Sequence, residues 1–163
     1  MEKLWAPWRV EYIRNPGTGC FFCQGLKMKD HKKALIVEKH ARAFSLLNRY
    51  PYNNGHLMVA PVRHVGNLEL LDDEELLTIH NLLRRAMKSI TMTMQPQGFN
   101  IGINQGRIAG AGVVDHIHIH LVPRWQGDTN FMPVLSDTKV VSESLLATYE
   151  KIRDGLHQLD HPA

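Results

Sequence analysis

The stretch DHIHIHLVPR, from Asp115 to Arg124, alternates three histidines with aliphatic residues. Side chains along a β-strand point to opposite faces with a period of two residues. The pattern therefore predicts a strand whose aliphatic residues enter a core, while its histidines form a row about 6.5 to 7 Å apart on the other face. These histidines are His116, His118 and His120.

A neutral imidazole is both a nucleophile and a good metal ligand, so this row predicts a reaction centre or a metal site. The alternative is a solvated strand face that happens to be rich in histidine. A functional role is favoured because the row lies outside any low-complexity histidine tract. One metal held by all three histidines is disfavoured, since alternate residues of a straight strand span more than a single ligand shell.

The chain of 163 residues is long enough for one domain with a sizeable core. Residues 1–19, which carry Trp5 and Trp8, are predicted to be an N-terminal arm, and residues 20–163 a single domain. Hydrophobic residues make up 44% of the chain and charged residues 21%, and no apolar run reaches the length of a membrane span. We therefore expect a globular protein without membrane partners.

The net charge of the chain and its cysteine content indicate which ligands it binds and where in the cell it is found. The formal net charge of +3 is mild, which suits a phosphate-bearing ligand but predicts no dedicated nucleic-acid surface. The N-terminal segment has no apolar stretch of the kind found in secretion signals, and the two cysteines provide no disulfide framework. We expect a cytoplasmic protein.

Hydrophobic periodicity predicts the remaining elements. A helical period runs from Asp72 to Met94, and Asp72 with Glu75 forms a capping box at its start. A second helix is predicted over Ser142–Leu159, and further strands at residues 34–37, 43–47, 57–60 and 99–103. Many of the strand connections are too short for parallel crossovers, so we expect an α+β fold with a mainly antiparallel sheet of about five strands and two principal helices.

The glycine-rich loop NQGRIAGAG, from Asn104 to Gly112, leads directly into the histidine strand. Glycine backbone leaves N–H groups accessible to an anion. The loop matches neither the P-loop nor the dinucleotide-binding signature, so a plain flexible connection is the alternative. Its place beside a neutral histidine nucleophile favours attack on phosphorus over attack on a carbonyl carbon.

Cys20 and Cys23, in CFFC, have the spacing of half a zinc site, which requires two more ligands. The alternative is a pair of buried reduced thiols. A thioredoxin-like redox pair is disfavoured because no suitable βαβ pattern follows.

The chain resembles the histidine-triad (HIT) family of nucleotide-binding hydrolases and transferases, whose signature reads HIHIHL here. The resemblance extends to NRYPYNNGHLMVAPVRHV at residues 48–65, where Gly-His precedes a strand and Pro-x-x-His. Together with LWAPWR at residues 4–9 and RWQGDTNFMPVL at residues 124–135, it is strongest to the diadenosine tetraphosphate phosphorylase-like branch. The resemblance implies a HIT fold, adenine nucleotide substrates and a homodimer.

The resemblance also implies catalytic roles. His118 would be the nucleophile that attacks the α-phosphorus, giving a nucleotidyl-histidine intermediate. His120 would contact phosphate or leaving-group oxygens, and His56 would support the row from the neighbouring strand. Transfer of the nucleotidyl group from His118 to phosphate would make ADP and ATP from diadenosine tetraphosphate. Transfer to water would make AMP and ATP.

Substrate contacts and metal ligands are implied in the same way. Asn48 would meet the ribose and Gln105 would lie near the phosphates. Several family members have Gln or Ser before the triad, where this chain has Gly110 and Gly112, so backbone N–H groups would bind phosphate instead.

In zinc-bearing relatives, the ligands that complete the cysteine pair correspond to His64 and His116. The zinc ion would be structural and would fix the N-terminal segment to the catalytic strand. The functional alternative from another class is a zinc-stabilised nucleotide-binding adaptor with little turnover.

Overall fold

The computed structural model describes residues 19–129 and 143–162. Five strands form one antiparallel sheet in the order β1-β2-β3-β5-β4. The strands are β1 (Ile36–Lys39), β2 (Ala43–Leu47), β3 (Leu57–Pro61), β4 (Gly98–Ile103) and β5 (Ile119–Arg124). The helices are α1 (Phe21–Lys27), α2 (Asp73–Met94), α3 (Leu145–Asp160) and a 3-10 turn (Leu68–Leu70). The predicted α+β fold, with its antiparallel sheet and two principal helices, is confirmed.

The two faces of the sheet are covered by different helices. Helices α2 and α3 pack on one face, where the triad's aliphatic residues Ile117, Ile119 and Leu121 join the main core. On the other face a smaller apolar cluster forms around Phe22 of α1 and Phe44 of β2. The aliphatic half of the predicted strand pattern therefore packs as expected, while the histidine face lies on the α1 side.

The predicted capping box at the start of α2 is present. The Asp72 carboxylate accepts a hydrogen bond from the Glu75 N–H at 2.7 Å, and the Glu75 carboxylate accepts one from the Asp72 N–H at 3.0 Å. Arg63 also donates to both carboxylate oxygens of Glu75, and these hydrogen bonds lower the pKa of that carboxyl group. The Arg63–Glu75 contact thus connects the chain before the 3-10 turn to the start of α2.

The histidine strand is shorter than predicted. The alternation predicts a strand over Asp115–Arg124, but β5 begins only at Ile119. Its neighbour β3 ends at Pro61, and the Ile117 N–H instead donates to the Val65 carbonyl at 2.7 Å. His116 and His118 therefore lie just before the sheet ladder and are held by the chain that follows β3.

Other boundaries differ from expectation for local reasons. Strand β1 starts at Ile36 because Leu35 adopts a left-handed conformation with φ of 59°. Helix α3 starts at Leu145, where the Ser144 hydroxyl accepts a hydrogen bond from the Ala147 N–H. Helix α1 was not among the predicted elements.

The predicted N-terminal arm lies almost wholly outside the described residues, as does much of the stretch at residues 124–135. Across residues 19–129 and 143–162, no helix has the length and apolar character needed to cross a membrane.

Helices α2 and α3 touch at a glycine. The Ser89 hydroxyl of α2 donates to the Ile152 carbonyl of α3 at 2.6 Å. A Cβ added at Gly155 would come within 2.9 Å of the Ser89 carbonyl oxygen, which belongs to the backbone of the facing helix. The absence of a side chain at Gly155 therefore sets how closely the two helices pack.

We predict that Gly155→Ala destabilises the protein. Overpacking against a facing backbone costs about 2–3 kcal/mol, and improved helix propensity returns about 1 kcal/mol, for a net loss of about 1–2 kcal/mol. Urea unfolding followed by circular dichroism measures this difference. Gly98→Ala is the matched control, because a Cβ there meets nothing within 4 Å. Equal stability of the Gly155→Ala variant and the parent protein would contradict the packing argument.

Candidate functional site

The triad histidines are buried beneath α1. The exposed fractions of His116, His118 and His120 are 0%, 4% and 9%. The Phe22 ring lies 4.9 Å, centroid to centroid, from the rings of both His116 and His118. The rings of His118 and His120 meet edge to face at 4.8 Å. The row is therefore not a solvated strand face.

One hydrogen bond fixes the tautomer of His118. Its Nδ1 lies 2.9 Å from the carbonyl oxygen of His116, and a carbonyl can only accept a hydrogen bond. Nδ1 must therefore carry the proton, and in the neutral ring Nε2 carries the lone pair. This is the form in which imidazole acts as a nucleophile through Nε2.

A second chain of hydrogen bonds orients His120. The Tyr52 N–H donates to Nδ1 of His56 at 3.0 Å, so Nδ1 is the acceptor in that ring. Nε2 of His56 then carries the proton and donates to Nδ1 of His120 at 2.9 Å. The remaining proton of a neutral His120 is on Nε2. His118 and His120 thus have opposite tautomers, one suited to attack and one suited to donate.

The turn before β3 holds His56 in place. The Asn53 side chain is buried and donates to the Pro123 carbonyl at 3.0 Å and to the Asp128 carboxylate at 2.8 Å. The backbone N–H of His56 donates to the Asn53 carbonyl, and the Tyr52 ring stacks on the His56 ring at 4.7 Å. This turn therefore connects the start of β3 to the end of β5.

The four residues predicted as metal ligands meet at one point. The ligand atoms of Cys20, Cys23, His64 and His116 all lie within 4.8 Å of one another. Sγ of Cys20 is 3.3 Å from Nδ1 of His116, and Sγ of Cys23 is 3.3 Å from Nδ1 of His64. Zinc–sulfur bonds of about 2.3 Å and zinc–nitrogen bonds of about 2.0–2.1 Å at tetrahedral angles give a sulfur–nitrogen separation of about 3.6 Å. The donor set and its spacing therefore fit a tetrahedral metal ion.

The surroundings of His116 favour metal binding through Nδ1. Its Nε2 donates to the Pro61 carbonyl at 2.9 Å, so Nδ1 is the nitrogen with the lone pair. Burial lowers the pKa of His116, which keeps the ring neutral. Burial and then the hydrogen bond with Cys20 raise the pKa of Cys23, whereas a bound cation favours the thiolate form that serves as a ligand.

A cleft of about 380 Å³ lies against the triad. His118 and His120 line it together with Asn48 and Gly112, which were predicted as substrate contacts. A groove of about 420 Å³ beside α2, lined by residues such as His40 and Lys88, contains no triad residue. The cleft is the place where a ligand could reach both His118 and His120.

Two predicted substrate contacts lie elsewhere. The Gln105 side chain accepts a hydrogen bond from the Leu68 N–H at 2.9 Å and donates to Glu69 at 3.0 Å. Gly110 lies in a turn with φ of 89°, and its N–H donates to the Arg107 carbonyl. Neither residue lines the cleft in this structure, so their contact with substrate stays a prediction.

Helix α1 forms part of the site, which was not predicted from the sequence. Phe21, Gly25 and Met28, in or next to this helix, line the cleft, and Phe22 packs on two triad rings. The two adjacent phenylalanines between the cysteines were the available signal, since buried aromatic residues need a surface to cover.

Comparison with known proteins agrees with this geometry. The model of the HIT domain family matches residues 29–127. An AP-4-A phosphorylase from Mycobacterium tuberculosis is 35% identical over 157 residues, covering 91% of this chain and 80% of the relative. An adenosine 5′-monophosphoramidase from Candida albicans is 27% identical, covering 88% of this chain and 95% of the relative. A zinc-bound histidine triad family protein from Mycobacterium smegmatis has a similar fold, with a TM-score of 0.69 at 23% identity, covering 89% of this chain and 98% of that one.

The tautomers can be tested without substrate. We predict that long-range ¹H–¹⁵N correlation spectra at neutral pH show His118 protonated on Nδ1 and His56 protonated on Nε2. The His116 carbonyl requires a proton on Nδ1 of His118, and the Tyr52 N–H requires a lone pair on Nδ1 of His56. The exposed His31 serves as a control and should show the mixed tautomers of free imidazole. A proton on Nε2 of neutral His118 would contradict the assignment.

Proposed function

Because this chain belongs to the HIT domain family, we propose that it is an enzyme that cleaves diadenosine polyphosphates, chiefly diadenosine tetraphosphate, through a nucleotidyl intermediate on His118. The observation that carries the proposal is the hydrogen bond from Nδ1 of His118 to the His116 carbonyl, which gives Nε2 its lone pair. The AP-4-A phosphorylase of Mycobacterium tuberculosis supports the choice of substrate.

The first half-reaction uses the two opposite tautomers. Nε2 of His118 attacks the α-phosphorus, a phosphorus–nitrogen bond forms, and the bond to the bridging oxygen breaks. The Nε2–H of His120 hydrogen-bonds to that oxygen and stabilises the charge that develops as ATP leaves. The Nε2–H of His56 continues to donate to Nδ1 of His120. This hydrogen bond keeps the proton of His120 on Nε2, where it can be donated to the leaving group.

The second half-reaction releases the adenylyl group. An oxygen of inorganic phosphate attacks the same phosphorus and the phosphorus–nitrogen bond breaks, which yields ADP and restores neutral His118. Attack by water would yield AMP instead, and this asymmetric hydrolase is the second candidate. Gly112 lines the cleft beside the triad, where backbone can approach phosphate oxygens without a side chain in the way.

A phosphoramidate substrate would use the same intermediate. A relative from Candida albicans is named adenosine 5′-monophosphoramidase. In a nucleoside 5′-phosphoramidate the leaving group is ammonia, which must gain a proton as the phosphorus–nitrogen bond breaks. His120 would then donate to nitrogen rather than to the bridging oxygen. The chemistry at His118 is unchanged, so substrate comparison distinguishes the two.

The metal cluster has a structural role in this proposal. Cys20, Cys23, His64 and His116 would hold Zn²⁺, which when bound cross-links the start of α1 to the segment before β5. His116 is two residues from His118 and supplies its carbonyl acceptor. Holding His116 therefore holds the nucleophile, without a step in the reaction at the metal.

The assembly and compartment are part of the proposal as well. A homodimer is supported by β4, which among the described strands pairs only with β5 and carries the half-exposed Ile101 and the partly exposed Ile103. A reducing cytoplasm would keep Cys20 and Cys23 as thiols able to bind zinc.

Product analysis tests the reaction. We expect the pure protein to convert diadenosine tetraphosphate to ADP and ATP only when inorganic phosphate is present, as resolved by ion-exchange chromatography. Adenosine 5′-phosphoramidate is assayed in parallel. AMP and ATP formed regardless of phosphate would assign the hydrolase, and no product despite tight nucleotide binding would favour a binding module.

The same assay separates an enzyme from an adaptor. His118→Ala is expected to lower turnover by at least about a thousandfold, because the proposed covalent nucleophile is lost. His31→Ala is the matched control, since this histidine is exposed and does not line the cleft.

Zinc binding has its own prediction. We expect about one zinc ion per chain by inductively coupled plasma mass spectrometry, given four ligands in one cluster. Cys23→Ser should lose most of the metal and several kcal/mol of stability, roughly what a structural site contributes to folding. His31→Ala should keep both. Full stability of a metal-free parent protein would contradict a structural metal.

A further inference from the structure

The Asp128 carboxylate is buried although it belongs to the loop after β5. Strand β5 ends at Arg124, and the Asp128 side chain, four residues later, has only 8% of its surface exposed. An ionised carboxylate loses the stabilisation of water when it is buried, so it is found inside a protein where hydrogen-bond donors surround it. The donors that reach Asp128 therefore show which parts of the fold this loop holds together.

Donors from two parts of the chain reach this carboxylate. Arg124 donates twice, at 2.6 and 2.9 Å. The Trp125 N–H donates at 3.1 Å and the Thr129 hydroxyl at 3.4 Å. The Asn53 side chain donates at 2.8 Å and lies 75 positions away, in the turn before β3. Asp128 thus connects the loop after the triad strand to that turn.

The two acceptors of the Asn53 amide fix this side chain relative to β5. Its Nδ2 group has two hydrogens, and it donates to the Asp128 carboxylate and to the Pro123 carbonyl at 3.0 Å. The Asn53 backbone carbonyl in turn accepts the His56 N–H at 3.1 Å. The position of Asn53 therefore sets where His56 lies.

A path of hydrogen bonds continues from this turn to His120. Tyr52, next to Asn53, donates its N–H to Nδ1 of His56, which places the proton of His56 on Nε2. That Nε2–H donates to Nδ1 of His120, which places the proton of His120 on Nε2. If the turn shifts so that the Tyr52 N–H no longer points at His56, neither ring has a fixed tautomer. The tautomer of His120 therefore depends on the position of the turn.

The tautomer of His118 is fixed at the other end of the strand. Its Nδ1 donates to the His116 carbonyl, and both residues lie before β5 begins at Ile119. Asp128 lies beyond the last residue of β5. Loss of the Asp128 side chain is therefore expected to disturb proton donation by His120 while Nε2 of His118 keeps its lone pair.

From this path we infer that Asp128 is a positioning residue for the reaction. By holding the Asn53 amide it fixes the turn before β3, sets the tautomer of His56 and keeps the Nε2–H of His120 directed at the leaving group. The inference rests on the proposed function, because it takes His120 as the donor to the leaving group of a nucleotide that reacts at His118.

The leaving group provides the test. Ammonia must gain a proton to leave adenosine 5′-phosphoramidate, whereas 4-nitrophenolate leaves the 4-nitrophenyl ester of AMP without one. In Asp128→Ala, kcat/KM is expected to fall at least about tenfold for the phosphoramidate and less than about threefold for the ester, since a well-placed proton donor contributes about a hundredfold or more. The ratio kcat/KM reports the first half-reaction, so the shared second half-reaction does not mask the difference.

Spectra of the histidines give a measurement that needs no substrate. In long-range ¹H–¹⁵N spectra at neutral pH, Asp128→Ala is expected to show mixed tautomers at His56 and His120, where the parent protein has both protons on Nε2. Asn53→Ser should give the same spectra and the same substrate ratio, because a hydroxyl has one hydrogen for two acceptors. Asn53→Ser decides the question if urea unfolding shows that Asp128→Ala does not fold.

Arg124→Gln is the matched control. It removes both guanidinium contacts to the Asp128 carboxylate but leaves the carboxylate to accept from Asn53. The Arg124 side chain is exposed, so the change leaves no buried cation. We expect this variant to lose stability while it keeps the substrate ratio and the tautomers of the parent protein.

Equal losses of kcat/KM for the two substrates in Asp128→Ala and Asn53→Ser would overturn the inference. The parent tautomers in both variants would also overturn it. If the parent protein cleaves neither nucleotide, the proposed function fails and with it the role of Asp128 in the reaction. Mixed tautomers in the two variants would then still show that Asp128 positions the pair of His56 and His120.

Discussion

The position of one residue, His116, constrains the whole site. Its carbonyl accepts a hydrogen bond from Nδ1–H of His118, the proposed nucleophile. Its Nε2 donates to the Pro61 carbonyl, and its Nδ1 faces the two cysteines. Burial keeps this ring neutral by lowering its pKa. The side chain and the carbonyl of this one residue therefore link the end of β3, the cysteine–histidine cluster and His118.

The positions of His56 and His120 are fixed by a separate set of contacts. His56 and His120 depend on the turn before β3, and Asn53 holds that turn against the end of β5. The Asp128 carboxylate accepts a hydrogen bond from Asn53 and forms a bidentate ion pair with Arg124. His118 and His120, which the proposal assigns to attack and to proton donation, thus have separate hydrogen-bond supports.

Much of this arrangement follows from local pattern. The strand at residues 43–47 matches β2, and the capping box of α2 forms as its spacing requires. The convergence of Cys20 with His116 was expected only from family resemblance, because residues so far apart in sequence meet through the fold. The adjacent phenylalanines indicate that Phe22 covers a surface but not which one, because the short helix α1 forms by packing on the sheet rather than by its own periodicity. The tautomers depend on backbone carbonyls, which no side-chain pattern locates.

Capture of the covalent intermediate tests the central claim most directly. The protein, in excess over diadenosine tetraphosphate labelled in its adenine rings, is mixed without phosphate, quenched in alkali within one turnover and digested for peptide mapping. The predicted result is a label on the peptide that contains the triad, bonded to His118 and released by acid. Complete cleavage of the substrate with no labelled peptide, or a label on His120 instead, would contradict attack by His118.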